Sequence, residues 1–96
     1  MSMGGIIIVI GDWNRNVDNT TELLVILMEE CAEVSQEASK VIRFGNEHTA
    51  LMKELGDLLC MIRLTQSRFG ISDEDLNNYA SLKREKLKTF SSLIPK

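Results

Sequence analysis

The sequence predicts an all-α protein: an antiparallel helical bundle of about three main helices per chain, completed by oligomerisation. Three observations support this. The chain has one proline and 5% aromatic residues, and it is rich in leucine, glutamate and lysine. Two long stretches place apolar residues at the three- and four-residue spacing of a helix face. The tripeptide Arg-Phe-Gly occurs at 43–45 and again at 68–70, and a left-handed glycine at such a position ends a helix.

The first helix is predicted to begin at Asn19, whose side chain can cap the helix while Glu22 completes a capping box. It should end at about Phe44, with Gly45 in the left-handed position. Its core-facing stripe consists of Leu23, Leu27, Val34, Ala38 and Val41.

The second helix follows the short connection 46–49, so it should pack antiparallel to the first and end at about Phe69. Its predicted stripe consists of Leu51, Leu55, Leu58, Leu59 and Ile62. A third helix is predicted from Ser72, with Asp75 completing another capping box, to about Phe90.

The N-terminal run 6–10 is β-branched and bounded by glycines. It is too short to cross a membrane, and it predicts a short strand that pairs with another subunit or, alternatively, a frayed segment. Trp13 lies in the polar loop 12–18 that follows, either plugging the end of the bundle or stacking on a ligand.

Size and charge limit the class of protein. The 96 residues make a single domain, 1–96, with its helical core at about 19–90, and the net charge of −3 argues against binding to a nucleic acid polymer. Cys31 and Cys60 lie in helical apolar patterns without a CxxC spacing. They indicate reduced packing residues of a cytoplasmic protein.

Five carboxylates interrupt or flank the two apolar stripes, at Glu29, Glu30, Glu33, Glu54 and Asp57. The three- and four-residue spacing within each group makes its members neighbours on one helix surface. Carboxylates are rarely buried unless they are paired or bind a cation, so two such groups on facing helices predict a metal site. The alternative is a solvated acidic flank.

The donor set is all oxygen, which selects Mg²⁺, or Mn²⁺ as its substitute, over zinc. Magnesium held by carboxylates usually serves a substrate that carries phosphate. A di-iron bundle would need Glu-x-x-His, whereas His48, the only histidine, lies in the connection between helices.

The two acidic motifs, Glu-Glu-Cys-Ala-Glu at 29–33 and Glu-Leu-Gly-Asp at 54–57, resemble the EExxE…ExxD signature of the MazG-type nucleoside triphosphate pyrophosphohydrolases, an all-α superfamily. The resemblance covers about residues 19–90. It implies Mg²⁺-dependent hydrolysis of nucleoside triphosphates, noncanonical nucleotides or deoxynucleotides among them, to monophosphate and pyrophosphate by metal-activated water. By position, Glu30, Glu33, Glu54 and Asp57 would be metal ligands, and Glu29 would be the base or a ligand of an additional metal.

Cationic side chains should hold the outer phosphates, because the charge that develops on pyrophosphate must be stabilised. The candidate substrate contacts are Lys53, Asn78, Lys83, Arg84 and Lys86, with Arg43 behind them. The family similarly carries basic residues, and often an asparagine, on the helix after the second motif. For each of these lysines and arginines the alternative is a position on a solvated helix face.

Apolar residues also lie off the main stripes, at Leu24, Met28, Ile42 and Met52. Contiguous apolar surface of this kind marks an interface, so we predict a homo-oligomer, either a dimer or a tetramer built as a dimer of dimers. The resemblance implies the same, with sites close to subunit boundaries. Two other functions fit the sequence: a non-catalytic module that binds a nucleotide or alarmone, and a helical interaction protein.

Overall fold

The computed structural model describes residues 18–45 and 47–96. It contains three helices, α1 (Asn19–Phe44), α2 (Thr49–Phe69) and α3 (Asp73–Phe90), and no strand within those residues. The predicted all-α class is confirmed. The predicted N-terminal strand and Trp13 lie outside the described residues.

The cap of α1 is Asp18, one residue before the predicted Asn19. Asp18 Oδ1 accepts a hydrogen bond from the Thr21 backbone N–H at 2.7 Å, and Asn19 is the first helical residue. This hydrogen bond lowers the pKa of Asp18, so the cap is anionic and interacts favourably with the positive end of the helix. Asparagine at the next position offers no such charge.

The other helix ends agree with the prediction. Gly45 and Gly70 follow α1 and α2 with φ of 64° and 67°, a conformation that side chains with a Cβ rarely adopt. The Ser72 hydroxyl accepts a hydrogen bond from the Asp75 N–H at 3.0 Å, which caps α3. These local signals therefore fix the end of α1, the end of α2 and the start of α3, whereas His48 before α2 makes no capping hydrogen bond with its side chain.

Helices α1 and α2 pack against each other in antiparallel orientation. The Arg68 Nε, near the end of α2, donates a hydrogen bond to Thr20 Oγ1, near the start of α1, at 2.6 Å. Four of the described side chains are buried, and three of them are acidic: Glu30, Glu33, Glu54 and Met61. The centre of the helix pair is therefore a group of carboxylates bordered by one methionine.

Two of the residues predicted for the α2 stripe are largely exposed. Leu55 and Leu59 are 48% and 44% exposed, whereas Glu54 and Met61 are buried. The face of α2 that contacts α1 is thus rotated from the apolar stripe towards the acidic residues. Placing the carboxylates inside leaves these two leucines outside the helix pair.

Helix α3 makes no close backbone contact with α1 or α2 in the described part of the chain, although Leu76 near its start lines a cavity together with Leu27 of α1 and Ile62 of α2. Its start is tied to α2 by Gln66, whose Nε2 donates a hydrogen bond to Asp73 Oδ1 at 2.9 Å. The radius of gyration is 16.2 Å. A compact chain of this length would have about 12.5 Å, so the single chain is open.

None of the three described helices is long and apolar enough to cross a membrane. Cys31 and Cys60 are free thiols. Both are exposed, so the expectation that they are packing residues is wrong. They lie outside the face on which α1 and α2 meet.

Candidate metal centre

The carboxylates predicted to bind metal come from facing surfaces of α1 and α2. Glu30 and Glu33 lie one turn apart on α1, and Glu54 and Asp57 lie one turn apart on α2. Glu30 is 1% exposed and Glu54 is 5% exposed. The side chains of Glu30 and Glu54 therefore point into the helix pair, where water cannot readily solvate their charge, whereas the Asp57 side chain is 42% exposed.

Three of these carboxylates converge on one point. One oxygen from each of Glu30, Glu54 and Asp57 lies within 4.8 Å of the corresponding oxygens of the other two. At that separation negative charges repel each other strongly in a partly desolvated site. Three oxygen donors held this close form a partial coordination shell for a hard cation.

Glu30 is the residue for which the need for a cation is clearest. Both of its carboxylate oxygens are buried, and neither has a hydrogen-bond partner among the described residues. Burial raises the pKa of Glu30, and the neighbouring carboxylates of Asp57 and Glu54 raise it further. An unsatisfied buried carboxylate is costly, and a bound cation is the partner that would remove the cost.

Glu33 and Glu29 form a second, adjacent acidic pair. Glu33 is buried but lies outside the group of three whose oxygens are within 4.8 Å of one another. Its side chain shares a hydrogen bond with Glu29, which is half-buried. Burial raises the pKa of Glu29, and the contact with Glu33 raises it further. Glu29 is thus a carboxyl group at the edge of the cluster with increased proton affinity.

Lys53 is the predicted substrate contact that lies beside the cluster. Its Nζ is 3.3 Å from Asp57 Oδ2 and 3.4 Å from Glu54 Oε1, so it forms ion pairs with two members of the group of three. The pKa of Lys53 is raised, first by the hydrogen bond and charge of Asp57 and then by Glu54.

The remaining predicted substrate contacts are not brought to the cluster within one chain. Asn78, Lys83, Arg84 and Lys86 are exposed on α3, which makes no close backbone contact with the helix pair. Arg43 is exposed near the end of α1, where its guanidinium lies 4.9 Å from the centre of the Phe44 ring.

A cavity of about 480 Å³ opens beside Lys53, towards the connection between α1 and α2. Its lining consists of Glu37, Val41, Glu47, Thr49, Ala50 and Lys53. The sequence prediction did not include the lining residues other than Lys53. Helical spacing could have found two of them, because Glu37 lies one turn after Glu33 and Ala50 one turn before Glu54.

Together the two helices define a class of protein: an all-α protein in which carboxylates from facing helices converge in a cluster that could hold a hard divalent cation. The model of the MazG nucleotide pyrophosphohydrolase domain matches residues 18–86, more than two thirds of the chain. The chain belongs to the MazG nucleotide pyrophosphohydrolase family. No curated protein and no solved structure matches the chain.

Membership of this family indicates a hydrolase that acts on nucleotides. The family depends on divalent metal ions, and the group formed by Glu30, Glu54 and Asp57 provides a cluster of the required chemistry. The match contains both acidic motifs and the whole of α1 and α2.

Proposed function

We propose that this protein hydrolyses nucleoside triphosphates, including noncanonical or deoxynucleotides, to monophosphate and pyrophosphate in a reaction that depends on Mg²⁺. The observation that supports this most directly is the burial of both Glu30 oxygens without a hydrogen-bond partner, next to Glu54 and Asp57. If the cluster served only stability, the Glu30 carboxylate should have hydrogen-bond partners or be exposed to water. In a cation site, the same oxygens stay without partners because the cation is their partner.

Glu30, Glu54 and Asp57 would hold the cation, with Glu33 as the fourth ligand. Their donor atoms are all oxygens, which favours Mg²⁺, with Mn²⁺ as a substitute. When bound, the cation would neutralise phosphate charge and make a water molecule more acidic.

Glu29 is the residue that we assign to proton transfer. In hydrolysis, the oxygen of water bonds to the α-phosphorus. The bond from the α-phosphorus to the α–β bridging oxygen breaks, and pyrophosphate leaves with the electron pair of that bond. The Glu29 carboxylate would accept the proton that the water loses. Burial and the neighbouring carboxylate of Glu33 raise the pKa of Glu29, which makes it a stronger base than an exposed glutamate.

The substrate's phosphates need positive charge that one chain does not concentrate at the cluster. Lys53 lies beside the cluster. The other candidates, Asn78, Lys83, Arg84 and Lys86, lie on helix α3, away from it. We propose that assembly of chains brings α3 close to a site. The side chains of α3 would then contact the outer phosphates.

Exposed surface supports a homo-oligomer, as a dimer or as a tetramer built from two dimers. Large apolar side chains are exposed on all three helices, including Met28 (69%), Ile42 (84%), Met52 (60%), Tyr79 (73%) and Phe90 (84%). Gly56 shares the outer face of α2 with Met52 and Leu59, and a Cβ at that glycine would meet nothing within the chain.

The oligomer is tested by light scattering during size-exclusion chromatography of the full chain. We expect two or four times the mass of one chain. Met28→Lys, which places a charge on the exposed apolar face of α1, should reduce that mass, whereas Gln36→Lys adds the same charge at an exposed position beside that face and serves as the control. A monodisperse wild-type monomer would contradict the proposal.

The activity is tested by pyrophosphate release from a panel of ribo- and deoxynucleoside triphosphates with Mg²⁺, Mn²⁺ or EDTA. Glu30→Gln and Glu54→Gln should lose the activity. Glu37→Gln is the matched control, because Glu37 also lies on α1 but pairs with Lys40 at 3.3 Å outside the cluster. Nucleotide binding with no release would indicate a binding module instead.

A further inference from the structure

Lys53 has an unusual position in the metal-free protein: its ammonium group contacts two carboxylates that we assign to the metal. The distances are 3.4 Å to Glu54 Oε1 and 3.3 Å to Asp57 Oδ2. Helix geometry favours the contact with Asp57, which lies one turn after Lys53. The contact with Glu54, the next residue in sequence, is made because the long lysine side chain turns towards the cluster. The lysine therefore approaches the cluster from the side of α2.

The ammonium and a divalent cation would make opposing demands on the same oxygens. Without a metal, the carboxylates of Glu30, Glu54 and Asp57 repel one another, and a positive charge at 3.3–3.4 Å reduces that repulsion. With a metal bound, Glu54 and Asp57 would donate to it, and the lysine would face a second positive charge. The arrangement with both cations in contact is unfavourable.

We propose that Lys53 is an internal counter-ion, which neutralises Glu54 and Asp57 in the metal-free protein and is displaced when a divalent cation binds. This inference rests on the metal site of the proposed function. It assigns Lys53 a competing role in metal binding, and that role differs from simple attraction of substrate.

The structure also provides space for the displaced side chain. Lys53 is 60% exposed, and it lines the cavity of about 480 Å³ that extends towards Val41, Thr49 and Ala50. A lysine side chain is flexible and its charged end is strongly hydrated, so a turn from the carboxylates into this open cavity costs little. In that position the ammonium would face an anionic group entering beside the metal.

The test measures binding of Mn²⁺ alone, through the electron paramagnetic resonance signal of the free ion, to the full-length protein without nucleotide. Removing two partly exposed ion pairs in Lys53→Met should tighten Mn²⁺ binding by about three- to tenfold. Lys53→Arg keeps the charge and should bind Mn²⁺ as the wild type does. Lys40→Met removes a positive charge that pairs with Glu37 away from the cluster, so it should leave the affinity unchanged.

Thermal unfolding gives a second readout that is independent of catalysis. In EDTA, Lys53→Met should unfold at a lower temperature than the wild type, because the carboxylates lose their counter-ion. With saturating Mn²⁺ the difference should disappear, because the metal has replaced the lysine. An equal loss in both conditions would identify a merely structural role and overturn the proposal.

The outcomes separate this proposal from the proposed activity. If the wild type binds Mn²⁺ and Lys53→Met binds it equally or more weakly, the counter-ion role is wrong while the metal site stands. If Lys53→Met binds Mn²⁺ more tightly but no nucleotide is hydrolysed, the counter-ion role stands and the activity does not. A wild-type protein that binds no Mn²⁺ overturns both.

Discussion

The helix pair α1–α2 and the helix α3 differ in which side chains they bury. The pair buries three glutamates and leaves apolar residues such as Leu55 and Leu59 outside. Helix α3 has no fully buried residue, although Leu76, Ala80 and Leu87 lie along one of its faces. The pair is thus closed around negative charge, whereas α3 is open and carries most of the residues predicted to contact phosphate.

This difference shows how function and folding divide the chain. A helix pair that places carboxylates in its centre gives up apolar burial that would otherwise stabilise it. Under the proposed function, a bound metal and contacts between chains would replace that stability. The exposed face of α3 is one surface that could make such contacts.

The first prediction, which has the largest expected effect, tests the acidic centre of the helix pair. Glu30→Gln keeps the shape of the side chain but removes the charge of the most buried ligand. We expect metal-dependent pyrophosphate release to fall by about a hundredfold or more, because loss of even an outer-shell partner costs about 10–100-fold in metal sites. Steady-state rates across a range of Mg²⁺ concentrations measure this, with Glu37→Gln as the control. Wild-type activity of Glu30→Gln at every Mg²⁺ concentration would show that Glu30 is not a ligand of the metal.

The second prediction concerns how much the buried Glu30 carboxylate lowers the free energy of unfolding. Glu30→Met replaces the unsatisfied carboxylate with an apolar side chain of similar size. In EDTA the variant should be more stable than the wild type by about 1–3 kcal/mol, the usual cost of a buried unsatisfied polar group. Chemical denaturation followed by circular dichroism measures the free energy of unfolding.

The control for that experiment is Glu37→Met, which removes an acidic residue that pairs with Lys40. This variant should be neutral or slightly destabilised, since it loses an ion pair without relieving burial. A destabilised Glu30→Met protein would mean that the carboxylate has a stabilising partner in solution, and the case for a poised metal ligand would fall.

Local signals in the sequence predicted much of this fold. The glycines after Phe44 and Phe69 and the Ser72 cap fixed the helix ends, because these features depend only on residues close in sequence. The acidic positions were also readable, because helical spacing places Glu30 within an apolar stripe and Glu54 beside one. Both glutamates are buried in the structure.

Features that depend on which surfaces meet could not be predicted in the same way. Periodicity predicts that Leu55 lies in the core, yet Glu54 is buried and Leu55 is largely exposed. The apolar stripe alone does not reveal which of its edges contacts α1. The ion pairs of Lys53 depend on the rotamer of a long side chain. Helix α3 was correctly placed in the sequence, but periodicity cannot say whether its apolar face meets its own chain or another.

The third prediction tests whether helix α3 contributes to the site. Lys83 lies on the same face of α3 as Leu76, Ala80 and Leu87, so a chain that packs on this face would also meet the lysine. Lys83→Met should raise KM for the nucleoside triphosphate by about tenfold, the scale of one lost hydrogen bond to a charged group. Lys88→Met is the control on the same helix, because Lys88 pairs with Glu85 at 2.9 Å. Equal KM values in the wild type and both variants would leave α3 outside the site.

The smallest expected effect is a dependence on pH that should separate the acidic centre from the rest of the molecule. The pKa of Glu30 is raised above its ordinary value of 4.5, because of burial and then because of the neighbouring carboxylates. The folded metal-free protein therefore binds this proton more tightly than the unfolded chain. The stabilising contribution is complete below the ordinary pKa and is lost as the pH rises through the raised one.

The measurement is the difference in free energy of unfolding between Glu30→Met and the wild type in EDTA. We expect the advantage of the variant to grow between about pH 4 and about pH 7, because only the wild type must bury a charge in that range. Saturating Mn²⁺ should reverse the order, since the metal stabilises the ionised Glu30 of the wild type and the variant lacks this ligand. A difference that is constant with pH would mean that Glu30 titrates like an exposed glutamate, and the contrast between a closed acidic centre and an open helix α3 would then not hold in solution.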